Sequence, residues 1–328
     1  MKSIIVAAGL AVASLLAFPA DTLAQARPKI VVFTKNVTNP FWRAVRIGAD
    51  KAGKELGADI EHAAPTKPDN IEEQTRLVED WIVRKPSAFV FVPVDYKALV
   101  PSIQKVNKAG IPVVIFTNRM TDVDFVTYIG SDDEAIGYEI TKYLIRALGG
   151  KGKIVHIDGV PAAITAQNRK KGLERALKEH PGIELLASQP GNYRRLPAVQ
   201  VFENLMQRFP VIDGVVSAND DMAVGVAEAL IAAGRGGKTK VVGIDAIPDG
   251  AAAILSGKMQ ATADFSGHDH GYLATSAAIR HLRGEKMPKD IEVPVIIVEQ
   301  ANAKPWTLPV EDKPVPNWTR VIQSQKKM

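Results

Sequence analysis

From Lys29 onward the chain alternates short, continuously apolar runs with stretches of helical periodicity, and this rhythm limits the fold more than any other feature. Lys29–Phe33, Ala88–Val92, Ile111–Phe116, Lys153–Ile157, Gly214–Ser217 and Lys240–Ile244 read as buried strands. Between them, apolar residues recur three and four apart, as at Ile71, Gln74, Leu77, Val78, Trp81 and Ile82. Asn39-Pro40 has the form of an N-cap followed by proline at the first helical position. Strands separated by single helices specify parallel sheets covered on both faces. There are roughly ten such units, more than one compact open sheet holds. The expected fold is therefore α/β, with two doubly wound parallel-sheet lobes. In such sheets a ligand binds beyond the carboxyl ends of the strands.

The first residues stand outside this rhythm. Lys2 is followed by an apolar run from Ile4 to Phe18, about 15 residues, which suits a secretory leader and is short for a membrane span. Ala24-Gln25-Ala26 is an A-x-A cleavage signal, so residues 1–26 are expected to be a signal peptide, cut after Ala26 or alternatively after Ala24. The chain has no cysteine, which excludes disulfides, thiolate chemistry and a cysteine-linked lipid anchor. Net charge is +5, with the basic residues scattered (Lys170-Lys171, Arg194-Arg195), unlike the concentrated face or arm of a nucleic-acid binder.

The side chains just past the strand ends share a chemistry. They are Asn39, Phe41 and Trp42 after the first strand, Asn118 and Arg119 after Ile111–Phe116, and Arg169 after Lys153–Ile157. Tyr193 follows Ile183–Ser188, Asn219 follows Gly214–Ser217, and Asp245 follows Lys240–Ile244. Planar amide, carboxylate and guanidinium groups can bond neighbouring hydroxyls in pairs, while rings cover C–H faces. Each residue alone also fits a helix cap or turn; the set points to a hydroxyl-rich small molecule.

At these residues the chain resembles the periplasmic sugar-binding proteins of the ribose and galactose type, which serve ATP-binding-cassette importers. The resemblance is carried by VTNPFWRAVRIG (Val37–Gly48), VIFTNR (Val114–Arg119), RKKG (Arg169–Gly172), SANDDMAVG (Ser217–Gly225) and VVGIDAIPDG (Val241–Gly250), and spans Lys29 to Gln300. It implies an N-terminal lobe of residues 27–131 plus 266–293 and a C-terminal lobe of 132–265 plus 294–303. It also implies three hinge crossings, near Ser131-Asp132, Ala263–Ser266 and Val293–Pro294. By it, Asn39, Phe41, Trp42, Asn118 and Arg119 line one wall of the cleft; Arg169, Tyr193, Asn219 and Asp245 line the other, with Tyr193 opposite Phe41 and Trp42. Phe265 is added at the last crossover. The chain departs from the ribose pattern at Val92-Pro93, at Asn118, and at Asp264-Phe265, where an amide is expected. These changes leave open another pentose, a hexose or a polyol.

The resemblance implies a monomeric, periplasmic binding protein for a sugar or sugar alcohol. It implies delivery of that ligand to the importer's membrane permease, no cofactor, no metal and no catalysis. The alternative is a ligand-binding sensor partner of a chemoreceptor or sensor kinase. Glycoside hydrolysis would need two facing carboxyls, and only Asp245 is placed at the expected cleft. Gly267-His268-Asp269-His270-Gly271 reads as a loop and helix start, since no third ligand is spaced to complete a metal site. The tail, residues 304–328, has little periodicity. It either packs back over the C-terminal lobe through its tryptophans or remains mobile.

Overall fold

The computed structural model describes residues 26–325. The expected leader lies, except for Ala26, outside the described residues. Two six-stranded sheets carry the fold. The first contains β1 (Lys29–Phe33), β2 (Asp59–Ala63), β3 (Ala88–Phe91), β4 (Val113–Phe116) and β5 (Tyr128–Gly130). The second contains β6 (Gly152–Asp158), β7 (Ile183–Pro190), β8 (Gly214–Ser217), β9 (Lys240–Ile244) and β10 (Ala261–Asp264). Each takes one late strand: β11 (Asp290–Glu292) pairs parallel with β5, and β12 (Ile296–Glu299) pairs antiparallel with β10.

The helices are α1 (Pro40–Leu56), α2 (Ile71–Arg84), α3 (Val100–Lys108), α4 (Asp133–Ala147), α5 (Ile164–Glu179), α6 (Arg195–Arg208), α7 (Asp220–Ala232), α8 (Pro248–Leu255), α9 (Gly267–Leu282) and α10 (Trp318–Gln325). The central strands are buried along their whole length, as the unbroken apolar runs require. Filling them with Val, Ile and Phe contributes about 1.5–3 kcal/mol for each such side chain removed from water.

The chain passes between the sheets after β5, after β10 and after β11. Helix α9 returns to the first sheet and packs along α1. The two helices approach closely because both carry glycine at the contact: a Cβ on Gly48 would lie 2.0 Å from the His268 carbonyl oxygen, and one on Gly271 1.9 Å from that of Val45. Helices α4 and α5 make the matching contact in the second lobe, through Gly137 against the Arg169 carbonyl and Gly172 against that of Glu134.

Three features differ from the expected pattern. β5 is only three residues long, too short for a periodic signal. The apolar run that follows Glu292 does not continue as one strand, because Pro294 lacks an N–H for a ladder and β12 begins two residues later. Helix α9 opens at Gly267, so the whole segment read as a loop and helix start is helical, since the Ser266 side chain accepts from the Asp269 N–H at 3.2 Å and caps it. The histidines of that segment therefore sit in the first helical turn: Nδ1 of His268 meets Asp269 at 2.9 Å and Nδ1 of His270 meets the Ser266 carbonyl at 3.0 Å.

Candidate ligand-binding cleft

Between the lobes, at the carboxyl ends of both sheets, lies a cavity lined by Asn39, Phe41, Trp42, Asn118, Arg169, Tyr193, Asn219, Asp245 and Phe265. These are all of the candidates read from the sequence except Arg119. Lys35, Asn36, Asp69, Thr117 and Thr165 complete the lining.

On the first lobe, the turn after β1 is organised by Asn36, whose Oδ1 accepts from the backbone N–H groups of Thr38 at 3.2 Å and Asn39 at 2.9 Å. Asn39 then caps α1 by accepting from the Phe41 N–H at 2.9 Å. This places Phe41 and Trp42 in the first helical turn, edge to face with centroids 4.9 Å apart. Phe265, arriving from the second crossing, stacks on Phe41 at 4.7 Å. The ring in contact with Phe41 is thus Phe265, while Tyr193 lies beneath the Lys35 ammonium, 5.7 Å from its ring centroid. Lys35 is buried and paired with Asp69 at 3.1 Å. Asn118 donates to the Pro93 carbonyl at 3.0 Å, which fixes the plane of its amide.

On the second lobe, Arg169 is the centre. Its Nε donates to Asp133 at 2.8 Å, and one terminal nitrogen donates to the Ala218 carbonyl at 2.7 Å. Its guanidinium also lies 4.8 Å from the Phe265 ring centroid. Only 4% of Arg169 is exposed. Burial alone would lower its pKa; Asp133, with Tyr193 and Asp245, more than offsets this, so the group stays charged. Asn219 caps α7 through the Met222 N–H at 3.1 Å and donates to the Tyr193 carbonyl at 3.4 Å. The Tyr193 hydroxyl meets Thr165 Oγ1 at 3.1 Å.

Asp245 and Ala246 follow β9 with φ of 119° and 51°, conformations that non-glycine residues rarely hold. Such strain costs on the order of 1–3 kcal/mol per residue and persists where the surroundings enforce it. Burial raises the Asp245 carboxyl well above the usual range, with Arg169 opposing. Either form of a carboxyl bonds a hydroxyl, the acid by donating and accepting and the carboxylate by accepting.

Arg119 lies elsewhere. It follows Asn118 directly, in the bend after β4. Its guanidinium pairs with Asp290 of β11 and sits over the Tyr128 ring at 4.7 Å, with 41% of the side chain exposed. It is the one candidate that the structure leaves outside the lining of this cavity. Lys35, Asn36 and Thr117 could have been found in the sequence, because they immediately follow β1 and β4. Asp69 carries no such signal, since it sits in the long loop after β2. Among the described residues no group of three His, Cys, Asp or Glu side chains is arranged to hold a metal, and no helix is long and apolar enough to cross a membrane.

The geometry agrees with what known proteins show. The model of the periplasmic binding protein domain matches residues 30–286. The ribose import binding protein RbsB of Escherichia coli (strain K12) is 29% identical over 275 residues, covering 84% of this chain and 92% of that protein. The xylitol-binding protein of Mycolicibacterium smegmatis is 32% identical over 271 residues, covering 82% and 77%. A solved periplasmic solute-binding protein of an ABC transporter from Actinobacillus succinogenes, with bound D-allose, superposes with a TM-score of 0.81 at 31% identity, covering 85% of this chain and all of that one. The match of domain model, relatives and two-sheet architecture leads to one conclusion: this chain belongs to the periplasmic binding protein family, among its sugar-binding members.

Proposed function

We propose that the protein is a periplasmic receptor that binds a sugar or sugar alcohol between its lobes and delivers it, as a monomer, to the permease of an ATP-binding-cassette importer. The observation carrying this reading is that strand-end residues from both lobes converge on one cavity. Amides, a charged guanidinium, a raised carboxyl and two stacked rings there provide what a hydroxyl-rich, C–H-faced ligand can use. Asn39, Phe41, Trp42 and Asn118 are assigned the N-terminal wall, and Arg169, Tyr193, Asn219, Asp245 and Phe265 the opposite wall. Lys35, Asn36, Asp69, Thr117 and Thr165 join them. A ligand bonded to both walls favours the closed arrangement by its differential affinity for it.

Binding without chemistry fits the carboxylates. Asp69 is engaged by Lys35 and Asp133 by Arg169, which leaves Asp245 without a second free carboxyl for glycoside hydrolysis. Titration calorimetry of the mature chain with D-ribose, D-allose and xylitol, extended to other pentoses, hexoses and polyols, tests the reading. Saturable binding of one ligand per chain is expected; a folded protein giving no heat with any of them contradicts it.

A further inference from the structure

The tail is neither free nor confined to one lobe. Ala303 and Trp306 pack into the core of the second lobe. Helix α10, which carries Trp318, Val321 and Ile322, packs against β11 of the first, and Arg280 of α9 lies 5.1 Å from the Trp318 ring. Gln325 then binds Glu292 of β11 through both its N–H, at 3.0 Å, and its carbonyl, at 3.4 Å. The segment between these anchors therefore crosses from one lobe to the other a fourth time, beside the second hinge.

We propose that this segment is a strap that holds the lobes in their closed arrangement and resists opening. Its grip on the hinge is Asp264, the last residue of β10 and one of the places where the chain departs from the ribose pattern. Trp306 donates its indole N–H to Asp264 Oδ2 at 2.7 Å, and Lys313 approaches the same oxygen at 3.6 Å while donating to Ser266 Oγ at 2.9 Å. The Ser266 N–H donates to Asp264 Oδ1 at 2.7 Å. Two tail side chains thus converge on a buried carboxylate at the turn where the chain changes lobes. On the other side, Lys51 of α1 donates to the Lys313 carbonyl at 2.6 Å, and Arg43 of α1 pairs with Glu311. The Arg43 pair is exposed and contributes little; the bonds at Asp264 are charge-assisted and buried, and these dominate.

Mechanical coupling comes from composition. Pro309, Pro314 and Pro316 lie between the anchors, and proline-rich chain is extended and semi-rigid. The strap spans an apolar cavity of about 290 Å³ lined by Phe41, Ile247, Trp306 and Leu308, so the anchors carry the load instead of continuous packing. Opening the lobes must break an anchor or stretch a segment with little slack.

The inference concerns lobe separation and is tested without any sugar, so its failure and that of the binding function are separable. The chain has no cysteine, which allows spin labels at Lys97→Cys and Gln167→Cys, exposed positions on opposite lobes, without background labelling. Double electron–electron resonance on the full-length mature chain is expected to show a dominant short distance. In the same chain carrying Trp306→Phe and Lys313→Ala, and separately Pro309→Gly, Pro314→Gly and Pro316→Gly, the longer-distance population is expected to rise about tenfold relative to the short one. Distance distributions unchanged in both variants overturn the strap, as does a lower melting temperature with no change in distances. If the first variant fails to fold, Asp264→Asn replaces it and is read in the same way.

Discussion

The two walls of the cleft are built by different means. On the first lobe the turn after β1, with its amides and rings, is set by local backbone bonds through Asn36 and Asn39, and only Asn118 is held from a distance, by the Pro93 carbonyl 25 residues away. The second lobe presents charge fixed at long range, with Arg169 on α5 tied to Asp133 on α4 and to the carbonyl after β8. Behind Asp245 lies a further buried acid, Asp220, which accepts from the Ile247 N–H at 3.1 Å. One wall is shaped mainly by sequence-local capping and the other by a buried electrostatic network. The second should therefore be the more sensitive to single substitutions.

The strongest test of this asymmetry is Arg169→Ala. Breaking a buried ion pair typically costs about 3–5 kcal/mol because the partner is left uncompensated. Calorimetry should find affinity reduced at least a hundredfold, and denaturation should find lower stability. Arg169→Ala combined with Asp133→Ala should recover part of the stability and none of the binding; recovery of both would mean that Arg169 only props the fold.

Next comes pH. Burial pushes Asp220 up to about 8, against an ordinary value near 3.8. The folded protein keeps this proton up to about pH 8, while the unfolded chain releases it above about 3.8, so the stabilisation is complete below 3.8 and is lost as pH rises towards 8. Asn at this position does not titrate. Between pH 5 and pH 7 the stability of Asp220→Asn relative to the parent should therefore shift in favour of the variant by about 2–3 kcal/mol, one proton being worth about 1.4 kcal/mol per pH unit. Urea denaturation at the two values measures this; a constant difference would mean Asp220 is ionised in the fold.

On the first wall, Asn118→Ala removes one oriented amide and should weaken binding by about 1–3 kcal/mol; denaturation should also find stability lowered by about 1–3 kcal/mol, because the buried Pro93 carbonyl loses its donor. Smallest of all is Arg119→Ala. Its exposed pair with Asp290 is worth about 0–1 kcal/mol, so affinity measured by calorimetry should change less than threefold.

The same asymmetry explains what could be read in the sequence. Asn39 and Asn219 were legible because one residue both ends a strand connection and caps the next helix, so local pattern and cleft position coincide. Arg169 lies within a helix, and its role came from resemblance; its ties to Asp133 and Ala218 join segments far apart in sequence, which no periodicity encodes. Proximity to a strand end does not fix the direction of a side chain, and Arg119 is directed to Asp290. The two-lobe rhythm was plain, whereas β5 and β11, three residues each, are defined by their pairing with neighbours and not by pattern. The tail's path depends on Asp264, Arg43 and Arg280, partners that its own residues do not announce.

A crystal structure with a ligand identified by calorimetry decides whether both walls hold the same molecule. One molecule should lie between the lobes, its hydroxyls within hydrogen-bond distance of Asn118 on one side and of Arg169 and Asp245 on the other. A ligand bound to one lobe only, or outside this cleft with Arg169 still bonded to Asp133 and Ala218 only, would contradict binding between the lobes.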